Sequence, residues 1–215
     1  ASGCTSVAKA WPDGAFVYGR NLDFAGAETW DRFPLVTVAL PPPGSNELKH
    51  VAFGADGVLF GGITGVNERG ITFAVHQNYT RDAALSGVPM MLIGELVLRR
   101  AGNLKEAEAI LRAHRPATLW TFVVTDTKTG EAMAVETSAR HFAVRHASSG
   151  VFAQTNHLMS PSTQADEFIS VGTKANSVFR MKKALELLEA AGAPEDLARI
   201  LAHQDNPAGE LVAYH

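Results

Sequence analysis

The sequence predicts an α+β protein of mostly antiparallel sheets, each covered by helices on one side, giving stacked layers. Two observations predict it. Extended runs come first, a helix pair follows, strands return, and a helical block closes the chain, which is the order of an α+β fold. Turn residues also separate the extended runs so closely that antiparallel hairpins, and not long crossovers, must join them. The 215 residues are 46% apolar, ample for a core in one large domain or two small ones.

In chain order, residues 4–9 and 15–20 read as a hairpin that starts almost at the first residue. Trp11-Pro12-Asp13-Gly14 joins them, with Pro presetting one turn dihedral and Gly supplying a positive φ. Further extended runs cover 35–40, 58–60 and 71–75. Pro41-Pro42-Pro43-Gly44 is a loop, because three prolines remove three ladder donors. The glycine-rich stretch 54–65 lacks the Gly-Lys-Ser/Thr of a phosphate loop and reads as turns.

Residues 90–100 and 104–113 are two short helices. Leu104, Ala107 and Leu111 share a face, Asn103 with Glu106 resembles a capping box, and Gly102 fits the break. Strands over 120–125 and 132–136 flank the hairpin loop Asp126-Thr127-Lys128-Thr129-Gly130. Strands over 142–145 and 151–153 flank Ser148-Ser149-Gly150. The last block puts Val178, Met181, Leu185 and Leu188 on one helical stripe. Gly192 ends it, and Pro194, Glu195 and Asp196 start a short helix carrying Leu197, Ile200 and Leu201. Tyr214-His215 carries no terminating signal, so the natural chain is expected to continue.

Charge narrows the function. With 19 Lys+Arg against 22 Asp+Glu, the net charge of −3 argues against a sequence-independent nucleic-acid binder. Trp11, Trp30 and Trp120 are too scattered for a base-stacking platform. No run approaches the roughly 20 apolar residues of a membrane span, and Ala1 opens no basic-then-apolar leader. His141 and His146 flank a strand at an unhelpful spacing and no His-Glu-x-x-His occurs, so neither metal nor cofactor is expected. A lone reduced cysteine suits the cytoplasm without forbidding export, which leaves the compartment open.

Cys4 is the only thiol. Alone, a single cysteine is more often a small buried hydrophobe than a nucleophile. Its position changes the weighting. Removal of Ala1-Ser2-Gly3 would leave Cys4 with a free α-amine, which titrates near ~8 and can take the thiol proton, so one residue supplies nucleophile and base. Gly3 adds no side chain to the bond that would be cut. If the hairpin forms, Arg20 and Asp23 come back near Cys4; a permanent cation beside a thiol favours the thiolate, and a carboxylate can hold an ammonium. On spacing alone, a surface arginine and a turn aspartate serve equally well.

Gly3-Cys4-Thr5-Ser6 followed by Gly19-Arg20-Asn21-Leu22-Asp23-Phe24 resembles the N-terminal-nucleophile (Ntn) hydrolases. The group is that of penicillin acyltransferase (isopenicillin-N acyltransferase), choloylglycine hydrolase, penicillin V acylase and acid ceramidase. Gly65-Val66-Asn67-Glu68-Arg69-Gly70-Ile71 looks like its G-x-N-E-x-G turn into a strand. Gln154-Thr155-Asn156-His157-Leu158 is similar to its T-N-H-F stretch, and Ser177-Val178-Phe179-Arg180 to its S-x-x-R at a helix start. The Thr-Asn-His-Leu form and the strand end Glu136-Thr137-Ser138 lean toward the acyltransferase-like branch.

The resemblance implies a four-layer αββα sandwich, autocleavage between Gly3 and Cys4, and hydrolysis or acyl transfer at a linear carbon–nitrogen amide bond through a thioester. Carried over by position, Cys4 is nucleophile and base, Arg20 and Asp23 tune and position it, and Asn156 donates its side-chain amide to the oxyanion. Asn78 in His76-Gln77-Asn78-Tyr79 is the second polar group, with Gln77 as rival, and Arg180 completes the set. The expected partner is a small-molecule amide or acyl donor, with no nucleic acid and no membrane span. Homo-oligomerisation, or association with a cleaved propeptide chain, stays open. Family members carry a segment before the cysteine and further strands after the last helices; residues 1–215 are expected to be one domain lacking those pieces. The alternatives are a catalytically inactive binding or assembly module of the same fold, and a Cys/His protease using Cys4 and His157. Pocket shape is expected to depend on the loops at 29–32 and 79–89.

Overall fold

The computed structural model describes residues 3–23, 32–56, 61–147 and 150–203. The strand expected at 58–60 lies outside these residues. So do Ala1, Ser2, Phe24, Trp30, most of the 29–32 loop, Ser148-Ser149 and the end at Tyr214-His215.

The chain opens with β1 (Gly3–Ala10) and β2 (Phe16–Asp23), joined at the expected Trp11–Gly14 turn, where Gly14 has φ of 88°. Next come β3 (Pro34–Ala39), β4 (His50–Ala55), β5 (Thr64–Asn67) and β6 (Ile71–Gln77). Helices α1 (Met90–Arg100) and α2 (Leu104–Ala113) follow. Asn103 Oδ1 accepts from Glu106 N at 2.9 Å, while Glu106 Oε2 accepts from Gly102 N at 2.7 Å, a capping box displaced by one residue. Strands β7 (Trp120–Asp126), β8 (Glu131–Thr137), β9 (Phe142–His146) and β10 (Val151–Gln154) return. The one-turn α3 (Pro161–Gln164), the long α4 (Val171–Ala190) and α5 (Asp196–Leu201) complete the described chain.

Among the described residues two antiparallel sheets form, ordered β10-β1-β2 and β3-β4-β5-β6-β7-β8-β9. Helices α1 and α2 cover the outer face of the larger sheet; α4 and α5 cover that of the smaller. The layers are therefore αββα. Strand periodicity sorts the side chains. In β6, Ile71, Phe73 and Val75 face α1 and α2, with Phe122, Val124, Met133 and Val135 beside them. Between the sheets lie small residues, Ala8, Ala74, Val123, Ala132 and Ala134, closed by Phe152. Val7, Ala153, Ala184, Leu188, Leu197 and Ile200 form the third apolar layer, under α4 and α5.

Three sequence expectations change. Strands β4 and β5 run through residues with little strand signal, including part of the glycine-rich stretch; they pair on both sides in the larger sheet, which overrides propensity. Strands β9 and β10 diverge, β9 pairing with β8 and β10 with β1. The buried stripe of α4 is Ser177, Arg180, Ala184 and Leu188, and Val178 is 43% exposed. A polar pair holds the inward face there because it serves the site below. The strand expected from the apolar run at 35–40 forms as β3, at the edge of the larger sheet among the described residues, and Leu35, Val36 and Val38 are exposed there.

Candidate active site

The antiparallel register of β1 and β2 sets Leu22 opposite Cys4, Arg20 opposite Ser6, and Asp23 opposite Gly3. Alternation then turns Cys4 and Ser6 toward the space between the sheets and Thr5 and Val7 toward α4. Arg20, on the diagonal from Cys4, shares its inner face. Its Nη2 donates to Cys4 Sγ at 3.3 Å and to the Val75 carbonyl at 3.0 Å; its Nη1 donates to the Ile63 carbonyl at 3.1 Å and Thr64 Oγ1 at 2.9 Å. The guanidinium thus bridges both sheets and reaches the sulfur in a fixed pose. Cys4 itself is 3% exposed.

Beyond the end of β10 the backbone presents Asn156 to β1. Its Oδ1 accepts from Cys4 N at 2.7 Å and from Arg180 Nη2 at 2.9 Å, while its Nδ2 donates to the Gln77 carbonyl at 3.0 Å. One N–H of that amide is engaged by Gln77, and the second finds no acceptor among the described residues. Asn78 stands beside it: its Nδ2 donates to the Asn156 carbonyl at 3.3 Å and its Oδ1 accepts from Thr121 Oγ1 at 2.8 Å. Gln77 therefore contributes its backbone to this network and Asn78 its side chain.

Arg180 reaches the same point from the helical layer. Nη1 donates to the Cys4 carbonyl at 2.8 Å and to Thr5 Oγ1 at 2.8 Å, and Nε donates to Asn176 Oδ1 at 2.9 Å. A Cβ on Gly3 would stand 3.2 Å from Arg180 Nη2, so glycine before the cysteine leaves the guanidinium room. The expected helix-start position of Ser177 and Arg180 is corrected: both lie in the body of α4, where a spacing of three puts them on one face. Ser177 Oγ accepts from Asn156 N at 2.8 Å, fixing the loop that carries Asn156.

His157 does not contact the sulfur. Its Nδ1 bonds Ser177 Oγ at 2.9 Å and Thr155 Oγ1 at 3.2 Å, and burial lowers its pKa. This is the geometry of a hydrogen-bonded loop residue, not of the base in a Cys/His pair.

Sequence reasoning missed a polar cluster behind Cys4. Ser6 Oγ shares hydrogen bonds with Tyr18 OH at 2.8 Å and His76 Nε2 at 2.7 Å, tying the two sheets together. Burial, reinforced by the charges of Arg20 and Arg180, holds His76 well below its ordinary pKa and hence neutral. Burial likewise raises Tyr18, partly offset by Arg20. The available signal was alternation: Ser6, Tyr18 and Arg20 fall on the cysteine's face once the hairpin is in register.

The Asn67 motif has a structural use. Asn67 Oδ1 accepts from Arg69 N and Ile71 N, and its Nδ2 donates to the carbonyls of Leu98 and Ala101, closing the end of α1. An apolar cleft of about 650 Å³ opens between the sheets, lined by Phe16, Tyr18, Arg20, Leu22, Phe53 and Val66 among others. Arg20 lines the cleft and touches Cys4, so the space begins one side chain from the sulfur.

Comparison with known proteins gives a consistent picture. The sequence model of the family described as acyl-coenzyme A:6-aminopenicillanic acid acyl-transferase matches residues 10–212. No curated protein matches the sequence. Among solved structures, the chain is similar to an N-acylethanolamine-hydrolyzing acid amidase ortholog from Caenorhabditis elegans, at TM-score 0.67 and 15% identity over 93% of this chain and 86% of that one. It is similar to a conjugated bile acid hydrolase from Clostridium perfringens, at TM-score 0.65 and 15% identity over 93% and 78%. It is also similar to penicillin V acylase from Agrobacterium tumefaciens, at TM-score 0.56 and 15% identity over 93% and 70%. At such identity these structures establish the fold.

Proposed function

The chain belongs to the acyl-coenzyme A:6-aminopenicillanic acid acyl-transferase family, within the Ntn amidohydrolase and acyltransferase class, and from that premise we propose a cysteine-dependent reaction at a linear amide bond. The observation that carries the proposal is the seating of Cys4. Its nitrogen is held by Asn156 Oδ1, its carbonyl by Arg180, and its sulfur by Arg20.

Activation is a scission before Cys4. The sulfur attacks the Gly3 carbonyl, an S–C bond forms, the Gly3–Cys4 C–N bond breaks, and the departing nitrogen takes a proton. Water then hydrolyses the thioester and frees Gly3 as a carboxylate. The Cys4 nitrogen is now an α-amine, and Asn156 Oδ1 accepts a hydrogen bond from it as it did from the amide.

In turnover the α-amine takes the thiol proton as sulfur attacks the substrate carbonyl. Arg20 Nη2 stabilises negative charge at sulfur, and the second N–H of Asn156 Nδ2, with Asn78 beside it, meets the developing oxyanion. Asp23 pairs opposite Gly3, on the face of the hairpin that carries Thr5 and Val7, next to the end of β1 where the α-amine is freed. The amine then protonates the leaving nitrogen, and water or an acceptor amine resolves the thioester. The cleft beside Arg20 favours a substrate whose acyl group is largely apolar.

Intact-mass measurement, with turnover of N-acyl p-nitroanilides of graded acyl length, tests the proposal. A chain beginning at Cys4, together with activity that is absent in Cys4→Ala of unchanged fold, is expected. A chain that retains residues 1–3 under all conditions and is inactive favours the binding or assembly module. Unchanged turnover in Cys4→Ala refutes the assignment.

A further inference from the structure

Away from Cys4, three segments bring their side chains together. Asp82 lies in the loop after Asn78, His141 in the turn between β8 and β9, and Asp166 just after α3. One ligand atom from each lies within 4.8 Å of the others, the single such His/Cys/Asp/Glu group among the described residues. His141 Nε2 is 2.7 Å from Asp166 Oδ2 and 3.9 Å from Asp82 Oδ2.

Two features separate this group from an ordinary surface cluster. The Asp82 side chain is 0% exposed, and although Arg140 pairs with its Oδ1, its Oδ2 accepts no hydrogen bond from the described residues and lies 3.9 Å from His141 Nε2. A buried carboxylate oxygen without a hydrogen bond is costly. The turn bearing His141 is also fixed from behind: its N–H donates to Ser138 Oγ at 2.9 Å and its carbonyl accepts from Arg115 Nη1 at 2.5 Å.

We propose that Asp82, His141 and Asp166 form a binding site for a divalent transition-metal cation of the Zn²⁺ type. One imidazole and two carboxylates are a donor set suited to that ion. The open side, where His141 and Asp166 are partly exposed, admits a water as fourth ligand. Two carboxylates and Arg140 sum to −1, so a dication is accommodated without gross charge imbalance. The ion would strap the segment following Asn78 onto the Asp166 region. That contact already exists in the Arg81 N to Asp166 carbonyl bond at 2.9 Å and the Phe168 N to Tyr79 carbonyl bond at 2.8 Å. The site is separate from Cys4 and does not depend on the proposed reaction.

The test is calorimetric titration of the untagged, chelator-stripped full chain with Zn²⁺, with Co²⁺ as a spectroscopic probe. One equivalent is expected to bind, with visible Co²⁺ bands of tetrahedral intensity. His141→Ala and Asp166→Asn should each weaken binding at least tenfold, and His146→Ala should leave it unchanged. Arg140→Ala removes the competing cation from Asp82 and should tighten binding, which separates the proposal from mere unfolding of a loop. Failure of the native chain to bind below millimolar Zn²⁺, or binding by His141→Ala equal to native, overturns it.

Discussion

Replacing Asn156 by alanine removes three contacts at once: the acceptor for Cys4 N–H, the acceptor for Arg180 Nη2, and the donor to Gln77 O. Loss of one oxyanion donor costs about 3–4 kcal/mol of transition-state stabilisation, a rate loss of about a hundredfold or more. The unpaired buried groups also cost stability, about 2–4 kcal/mol in total after local relaxation, or roughly 5–15 °C in Tm for a domain of this size. Turnover must therefore be compared well below that melting point. Asn156→Asp divides the roles. It keeps an oxygen for the Cys4 nitrogen and Arg180 but replaces the donating nitrogen by a carboxylate oxygen. Single-turnover thioester formation, followed by mass, should fall by about a hundredfold or more in both variants. Alanine within fivefold of native would remove Asn156 from the oxyanion role; aspartate within fivefold would show that its nitrogen donates nothing in the transition state.

Three further outcomes follow from the packing. His76 and His157 both have lowered pKa values, so below about pH 6.5 the unfolded chain binds protons that the folded chain resists. Stability should be fully present above that pH and fall on acidification, with a slope of up to about 1.4 kcal/mol per pH unit from His76; urea midpoints that stay flat from pH 7 to 5 would contradict it. Asn67→Ala loses two hydrogen bonds at the end of α1 and two in the turn between β5 and β6, and should cost about 2–4 kcal/mol by denaturant melts while leaving kcat unchanged. Gly62→Ala sets a Cβ 1.8 Å from the Met91 carbonyl, so calorimetry should show a loss of about 3 kcal/mol or more; near-native stability would mean α1 can move away from the turn that precedes β5.

The local parts of this molecule were written in its sequence. Residues 11–14 specify the first turn, and period two then commits Cys4 and Arg20 to one face without any distant partner. The spans of α1 and α2 follow from apolar spacing and flanking signals. What the tertiary structure decided is everything that depends on residues remote in the chain. Whether β10 pairs with β9 or with β1 is a choice between hydrogen-bond partners that its own four residues do not encode. The inward face of α4 carries Ser177 and Arg180 against hydrophobic expectation because the Asn156 N–H, the Cys4 carbonyl and Thr5 wait there as buried acceptors and donors. His141 looked unsuited to a metal while His146 was its only visible neighbour, and acquired Asp82 and Asp166 only through chain folding. Periodicity acts over a few residues, whereas satisfying a buried polar atom acts across the whole chain, and that difference sets the boundary between the two.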